Sequence, residues 1–267
     1  MPFITTSDSV RIYYEESGQG EPLLLISGQS ADHTYWNKIR DDFSDDYRVL
    51  VFDHRGTGRS DKPSEPPYTT PVFARDAIEL LDELRVDRAH VYGHSMGGRI
   101  GQWIGIDYSR RLGALVLGGS TPGNAHGVPR TPEVDFRLSQ ASADPQKILE
   151  ELGPLIVTKA WAEANPEGIE QMSQIRRTPE YVRKLHYQAS EGHDSWDLLS
   201  TISVPTLIIH GSDDELNPVA NARLLAKKVP GSKLHIVKGG RHAYMLDFRE
   251  ESARVVKSFL KEHSFQA

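Results

Sequence analysis

Val91-Tyr92-Gly93-His94-Ser95-Met96-Gly97-Gly98 is the stretch on which the reading of the chain turns. A short apolar run, Arg88 to Tyr92, reads as a buried strand, and from Met96 to about Tyr108 the spacing is helical. Between them a serine stands in a Gly-x-Ser-x-Gly pattern. Glycine on either side permits a sharp strand-to-helix turn that a Cβ would obstruct, and the turn presents the hydroxyl above the sheet edge. Ser95 is therefore the candidate nucleophile. The free N–H groups at the start of the following helix suit an oxygen that becomes negative during acyl transfer. Gly97, Gly101 and Gly105 recur every fourth residue and line one helix face, so the helix is expected to lie close on the sheet. A phosphate loop fits less well, because Arg99-Ile100 stand where Lys and Ser/Thr belong.

On either side of this turn, buried strands are expected at Leu23 to Ile26, Arg48 to Phe52, Gly113 to Leu117, Val204 to His210 and Lys233 to Val237, with an alternating strand at Val10 to Glu16. Helical patterns fall at Tyr35 to Asp42, Thr70 to Arg85, Pro218 to Val229 and Glu250 to Glu262. This alternation defines an α/β fold with a mostly parallel sheet and helices on both faces. From Thr121 to Ser195 the rhythm breaks, leaving candidate helices only: Pro145 to Leu155, Pro166 to Arg176 and Pro179 to Ala189. A helical insertion cannot join the sheet. Residues 121–195 are thus expected to form a cap over a core made of 1–120 and 196–267, with Phe136, Leu152, Ile156, Trp161 and Met172 shaping the pocket.

A serine hydroxyl needs a base, and a histidine base works best when a carboxylate fixes its tautomer. Downstream, the strand ending at His210 opens onto Gly211-Ser212-Asp213-Asp214, and the strand ending at Val237 opens onto Gly239-Gly240-Arg241-His242. In a parallel sheet both loops leave from the edge at which Ser95 projects.

These segments, together with Ser27-Gly28-Gln29 and Asp53-His54-Arg55-Gly56-Thr57-Gly58-Arg59-Ser60, resemble the α/β-hydrolase superfamily over nearly the whole chain. Within it the chain looks most like small capped serine carboxylesterases, cofactor-free haloperoxidase-like enzymes and 3-oxoadipate enol-lactonases. The resemblance implies an eight-stranded sheet with the cap inserted after strand 6. It also implies Ser95 as nucleophile, His242 as base and Asp214 as orienting acid, with Asp213 competing for that role. The oxyanion donors it implies are the backbone N–H groups of Gln29 and Met96. Ser27 departs from the superfamily, where a histidine commonly precedes the glycine.

The implied activity is cofactor-independent hydrolysis of a small-molecule carboxylic ester or lactone. Carbon–carbon bond hydrolysis, haloperoxidase or perhydrolase chemistry, and a ligand receptor without turnover are the alternatives. Serine rather than aspartate at the turn argues against dehalogenase or epoxide hydrolase chemistry. Gly56 and Gly58 open no dinucleotide fingerprint, because Lys62 to Pro67 cannot start a helix.

A net charge of −6 and the lack of a basic cluster argue against nucleic acid or an anionic membrane as partner. Absence of cysteine removes thiolate catalysis and Cys-ligated zinc. No apolar run approaches the roughly 18 residues of a membrane span, and Met1 to Asp8 lacks a secretion signal, so a cytoplasmic protein is expected. Of eleven histidines, His54, His126, His186, His193 and His235 lack metal-ligand spacing, and no metal site is expected. His33 is read as a surface or packing residue, and His94 as the variable position of its motif.

Overall fold

The computed structural model describes residues 2–65, 67–143, 147–172 and 178–265. Eight strands form one sheet: β1 (Phe3–Thr5), β2 (Arg11–Ser17), β3 (Glu21–Ile26), β4 (Tyr47–Phe52), β5 (Ala89–His94), β6 (Leu112–Gly118), β7 (Thr206–Gly211) and β8 (Lys233–Val237). Their spatial order is β1-β2-β4-β3-β5-β6-β7-β8. β1 and β2 pair antiparallel, and every pair from β4 to β8 is parallel. β1 is the strand the sequence pattern did not reveal, since three residues are too few to show a period.

The continuous apolar runs follow from burial on both sides. Leu23 and Leu25 enter one core with Val49, Val51, Val116 and Ile209. Leu24 and Ile26 enter the other with Leu50, Val91, Leu117 and Ile208. Successive side chains of one strand thus serve opposite layers, so both of its faces are apolar along these runs.

Helices α1 (Asp41–Ser44), α2 (Thr70–Glu83), α3 (Met96–Asp107), α9 (Ala220–Lys228), α10 (Tyr244–Asp247) and α11 (Arg249–Glu262) flank the sheet. The continuous helix expected over Tyr35 to Asp42 is instead a 3₁₀ turn at His33–Trp36 followed by the short α1. Asp32 caps that turn by accepting from the Thr34 N–H at 2.9 Å. α3 lies on the sheet by its glycine face: a Cβ on Gly97 would stand 2.1 Å from the Ile26 carbonyl oxygen, and one on Gly101 3.2 Å from the Leu117 side chain.

Between β6 and β7 the described residues carry α4 (Pro132–Ala143), α5 (Ile148–Ile156), α6 (Lys159–Ala164), α7 (Pro166–Met172) and α8 (Glu180–Glu191). α4 and α6 were not expected; α4 has little apolar character to mark it, and Phe136 on it is 63% exposed. The expected start at Pro145 and end at Arg176 lie outside the described residues. An isolated antiparallel bridge, Gly123 to Asp194, closes the base of the segment. Among the described residues no helix is long and apolar enough to cross a membrane.

Candidate active site

Ser95 occupies the turn between β5 and α3 with φ 59° and ψ −119°, a conformation unfavourable for a residue bearing a Cβ. The surroundings impose it. A Cβ on Gly93 would lie 2.1 Å from the Gly97 carbonyl oxygen, and one on Gly98 2.6 Å from the Ser120 Cβ, so chain passes on both sides with no room to spare. The Ser95 N–H donates to Gly118 O at 2.8 Å, and Ser120 Oγ donates to Ser95 O at 3.0 Å, which ties the turn to the end of β6.

The loops after β7 and β8 interlock beside it. A Cβ on Gly211 would stand 2.2 Å from Gly240 O, and the Asp213 N–H donates to that same oxygen at 2.9 Å. Asp214 turns inward, fully enclosed, and its Oδ2 lies 2.8 Å from His242 Nδ1. Its Oδ1 accepts the Asn217 N–H at 2.9 Å, and His210 Nε2 approaches Oδ2 to 3.2 Å. Burial alone would raise the Asp214 pKa, but the charge and hydrogen bonds of His242 and His210 hold it well below the usual carboxylate range. Asp213 is exposed and accepts from Ser212 Oγ at 2.6 Å. Of the two competing acids only Asp214 meets the imidazole.

His242 is held from two sides. Its N–H donates to Leu155 O at 3.4 Å and that of Ala243 to Ile156 O at 2.8 Å, which occupies carbonyls at the C-terminal end of α5. From the sheet, His94 Nε2 donates to His242 O at 2.9 Å, while Tyr35 OH donates to His94 Nδ1 at 2.7 Å. A carbonyl only accepts, so this pair of contacts selects the Nε2–H tautomer of His94. Burial, with the neighbouring His242, pushes the His94 pKa well down and keeps the ring neutral. His94 is therefore more than the variable position of its motif. Neither it nor His210 was singled out from sequence; the signal available was a histidine ending each of two buried strands.

The segment after β3 is braced in the same manner. Ser27 Oγ donates to Ala31 O at 3.3 Å, so serine in place of histidine closes the loop on itself. His54 Nε2 donates to Ser27 O at 3.1 Å. The Ser30 N–H donates to His186 Nδ1 at 3.2 Å, and Thr178 Oγ1 donates to Ser30 O at 3.1 Å. His186 Nε2 donates onward to Arg55 O at 2.9 Å. Burial lowers the pKa of His54 to about 4 and that of His186 to about 3, so both act as neutral struts.

His33 is buried, its Nδ1 2.7 Å from Asp53 Oδ1, which makes packing and not the surface its setting. With Asp32 and Asp53 it forms the one group among the described residues whose ligand atoms fall within 4.8 Å of one another. The second Asp53 oxygen already accepts the Arg59 N–H at 2.7 Å, as suits a structural loop.

Ser95 and His242 open onto a cavity of about 1050 Å³, whose wall includes Gly28 and Gln29. Gly28 packs against the serine: a Cβ there would lie 3.4 Å from the Ser95 Cβ. Met96 sends its side chain into the core, so only its backbone N–H, at the start of α3, adjoins the serine. Leu152, Ile156 and Trp161 line the cavity as expected, Phe136 does not, and the Met172 side chain lies outside the described residues.

Residues 21–248 match the family model of the alpha/beta hydrolase fold, and the chain belongs to that family. Among curated relatives it is 30% identical to a putative carbamate hydrolase RutD of Caulobacter sp. (strain K31), over 93% of this chain and 95% of the relative. Among solved structures, Est816, described as an N-acyl homoserine lactone degrading enzyme, superimposes with a TM-score of 0.82 at 30% identity, covering 97% of this chain and all of its own. The esterase EaEST from Exiguobacterium antarcticum gives a TM-score of 0.88 at 25% identity, covering 97% of this chain and 98% of its own.

Proposed function

We propose that the protein is a serine hydrolase that cleaves a carboxylic ester or lactone through an acyl-enzyme, with Ser95, His242 and Asp214 as its catalytic residues. The observation that carries the reading is the 2.8 Å contact between His242 Nδ1 and the enclosed Asp214 carboxylate, beside a cavity that His242 shares with Ser95. A carboxylate held ionised keeps the proton on Nδ1 and leaves Nε2 free to act as base. The esterase and lactone-degrading relatives favour the same bond type.

In this mechanism Ser95 Oγ attacks the carbonyl carbon while His242 Nε2 takes the hydroxyl proton. The N–H groups of Met96 and Gln29 donate to the oxyanion of the tetrahedral intermediate. Collapse breaks the bond to the leaving oxygen, which receives the proton from Nε2. Water then gives a proton to Nε2 and attacks the acyl carbon; collapse breaks the bond to Ser95 Oγ, which takes that proton back from Nε2 as the acid leaves. Residues 121–195 act as the cap, which shapes the pocket through Leu152, Ile156 and Trp161.

The test is turnover of 4-nitrophenyl butyrate and a lactone panel by wild type and Ser95→Ala, with fluorophosphonate labelling read by mass. Wild-type turnover that vanishes in the variant, with the adduct on Ser95, is expected. An adduct elsewhere, or activity surviving in Ser95→Ala, overturns the assignment. Carbamates and vinylogous diketones in the same panel report the alternative bond types, and binding without any Ser95-dependent turnover would indicate a receptor.

A further inference from the structure

Arg99 lies in the first turn of α3, four residues beyond Ser95, and its side chain lines the cavity while only 5% exposed. Its Nη1 donates to Ser190 O at 2.6 Å, near the C-terminal end of α8, and its Nε has no partner. Among the described residues no carboxylate pairs with it. Of the other cations of the cavity wall, Arg130 pairs with Asp135 at 2.6 Å and Glu191 at 3.4 Å, Lys184 pairs with Glu180 at 2.7 Å, and Lys38 is exposed to solvent. Arg183 is less enclosed and donates to Thr178 O at 2.8 Å.

Burial lowers the Arg99 pKa to about 10, Glu191 raising it and Arg130 lowering it in smaller measure, so the guanidinium keeps its charge at neutral pH. An enclosed charge without a counter-ion is costly, and a helix carbonyl supplies only partial negative charge. Thr121 lines the same cavity. The Thr121 hydroxyl is buried with no hydrogen-bond partner, and Gln102, on the next turn of α3, donates to the Thr121 carbonyl at 3.0 Å.

We propose that Arg99 binds a free carboxylate of the substrate, so that the ester or lactone cleaved by this protein is that of a molecule carrying a second, ionised acid group. The inference rests on the hydrolase reading above. A guanidinium offers a planar fork of donors matched to a carboxylate, and the ion pair would supply the counter-charge that the protein withholds. Under this reading the bond from Arg99 to Ser190 O orients the guanidinium, whereas a purely structural Arg99 would do no more than tie α3 to α8.

Matched esters distinguish the two. The pairs are 4-nitrophenyl hydrogen adipate against 4-nitrophenyl hexanoate, with the carboxylate on the acyl side, and 4-acetoxybutyrate against butyl acetate, with it on the alcohol side. Wild type is expected to favour the anionic member of at least one pair by roughly tenfold or more in kcat/KM, chiefly through KM. Arg99→Gln should abolish that preference and raise the inhibition constant of adipate by roughly tenfold, and Arg99→Lys should recover part of both. No preference in wild type for either pair, or a preference that survives Arg99→Gln, overturns the proposal. Absence of Ser95-dependent turnover of all four esters would instead overturn the hydrolase reading, and calorimetric titration of adipate into wild type and Arg99→Gln would still decide the anion site.

Discussion

His94 donates its Nε2–H to the backbone carbonyl of His242 at 2.9 Å, and the two imidazole rings lie 4.9 Å apart. The residue beside the serine thus holds the segment that carries the proposed base. Replacing it by asparagine removes reach from at least one side and leaves Tyr35 OH or His242 O without a partner, at a cost of about 1–3 kcal/mol. His94→Asn should therefore lower kcat by roughly tenfold with a smaller change in KM, since the loss falls on the geometry of the base. Steady-state kinetics on 4-nitrophenyl butyrate, with a urea unfolding curve for the stability, check both parts.

The two adjacent acids should behave oppositely. Asp214→Asn replaces the enclosed carboxylate on His242 Nδ1 with an amide that no longer fixes the productive tautomer, and a loss of about 10³–10⁴ in kcat is expected. Asp213→Asn alters an exposed side chain that accepts from Ser212 Oγ, and should stay within about threefold of wild type. Comparable losses in both variants would refute the assignment of the acid.

Stability should fall as the solution is acidified below neutrality. His54 and His186 have folded pKa values near 4 and 3, below the roughly 6.5 of an unfolded histidine. Between those limits the unfolded chain binds more protons, so their contribution is complete above about pH 6.5 and is lost as pH drops toward the folded values. His94 and His193 are depressed by burial in the same sense. The urea midpoint should accordingly decline between pH 7 and pH 5, and in His186→Gln the decline should be shallower by about one proton's worth. An unchanged slope in the variant would show that His186 is not held neutral.

Glycines on one face of α3 should differ sharply in tolerance. Gly97→Ala would drive a methyl to 2.1 Å from the Ile26 carbonyl oxygen, a backbone atom that cannot move aside, and should cost more than about 3 kcal/mol or abolish folding. Gly101→Ala meets only the ends of the Leu115 and Leu117 side chains, at 3.3 and 3.2 Å. Its cost should remain within about 1 kcal/mol, because leucine side chains can shift by tenths of an ångström and alanine favours the helix. Thermal or urea unfolding of the two variants makes the comparison.

Much of this was legible in the chain itself. Runs such as Leu23 to Ile26 and Gly113 to Leu117 declare strands buried on both faces, and Gly93, Gly97 and Gly98 around Ser95 declare the turn, because both signals are local: they depend on side-chain period and on the space left by missing Cβ atoms. The loops bearing Asp214 and His242 could be assigned to one sheet edge by the order of elements alone. Which of Asp213 and Asp214 turns inward was decided by how the loops after β7 and β8 cross, with Gly211 against Gly240. The same holds for His94 on the His242 carbonyl, for His186 on the Ser30 amide and for Arg99 enclosed without a carboxylate, each set by segments tens of residues apart. A sequence records periodicity and steric permission along the chain, whereas hydrogen-bond partners and unbalanced charge arise only when distant segments are packed together and water is excluded.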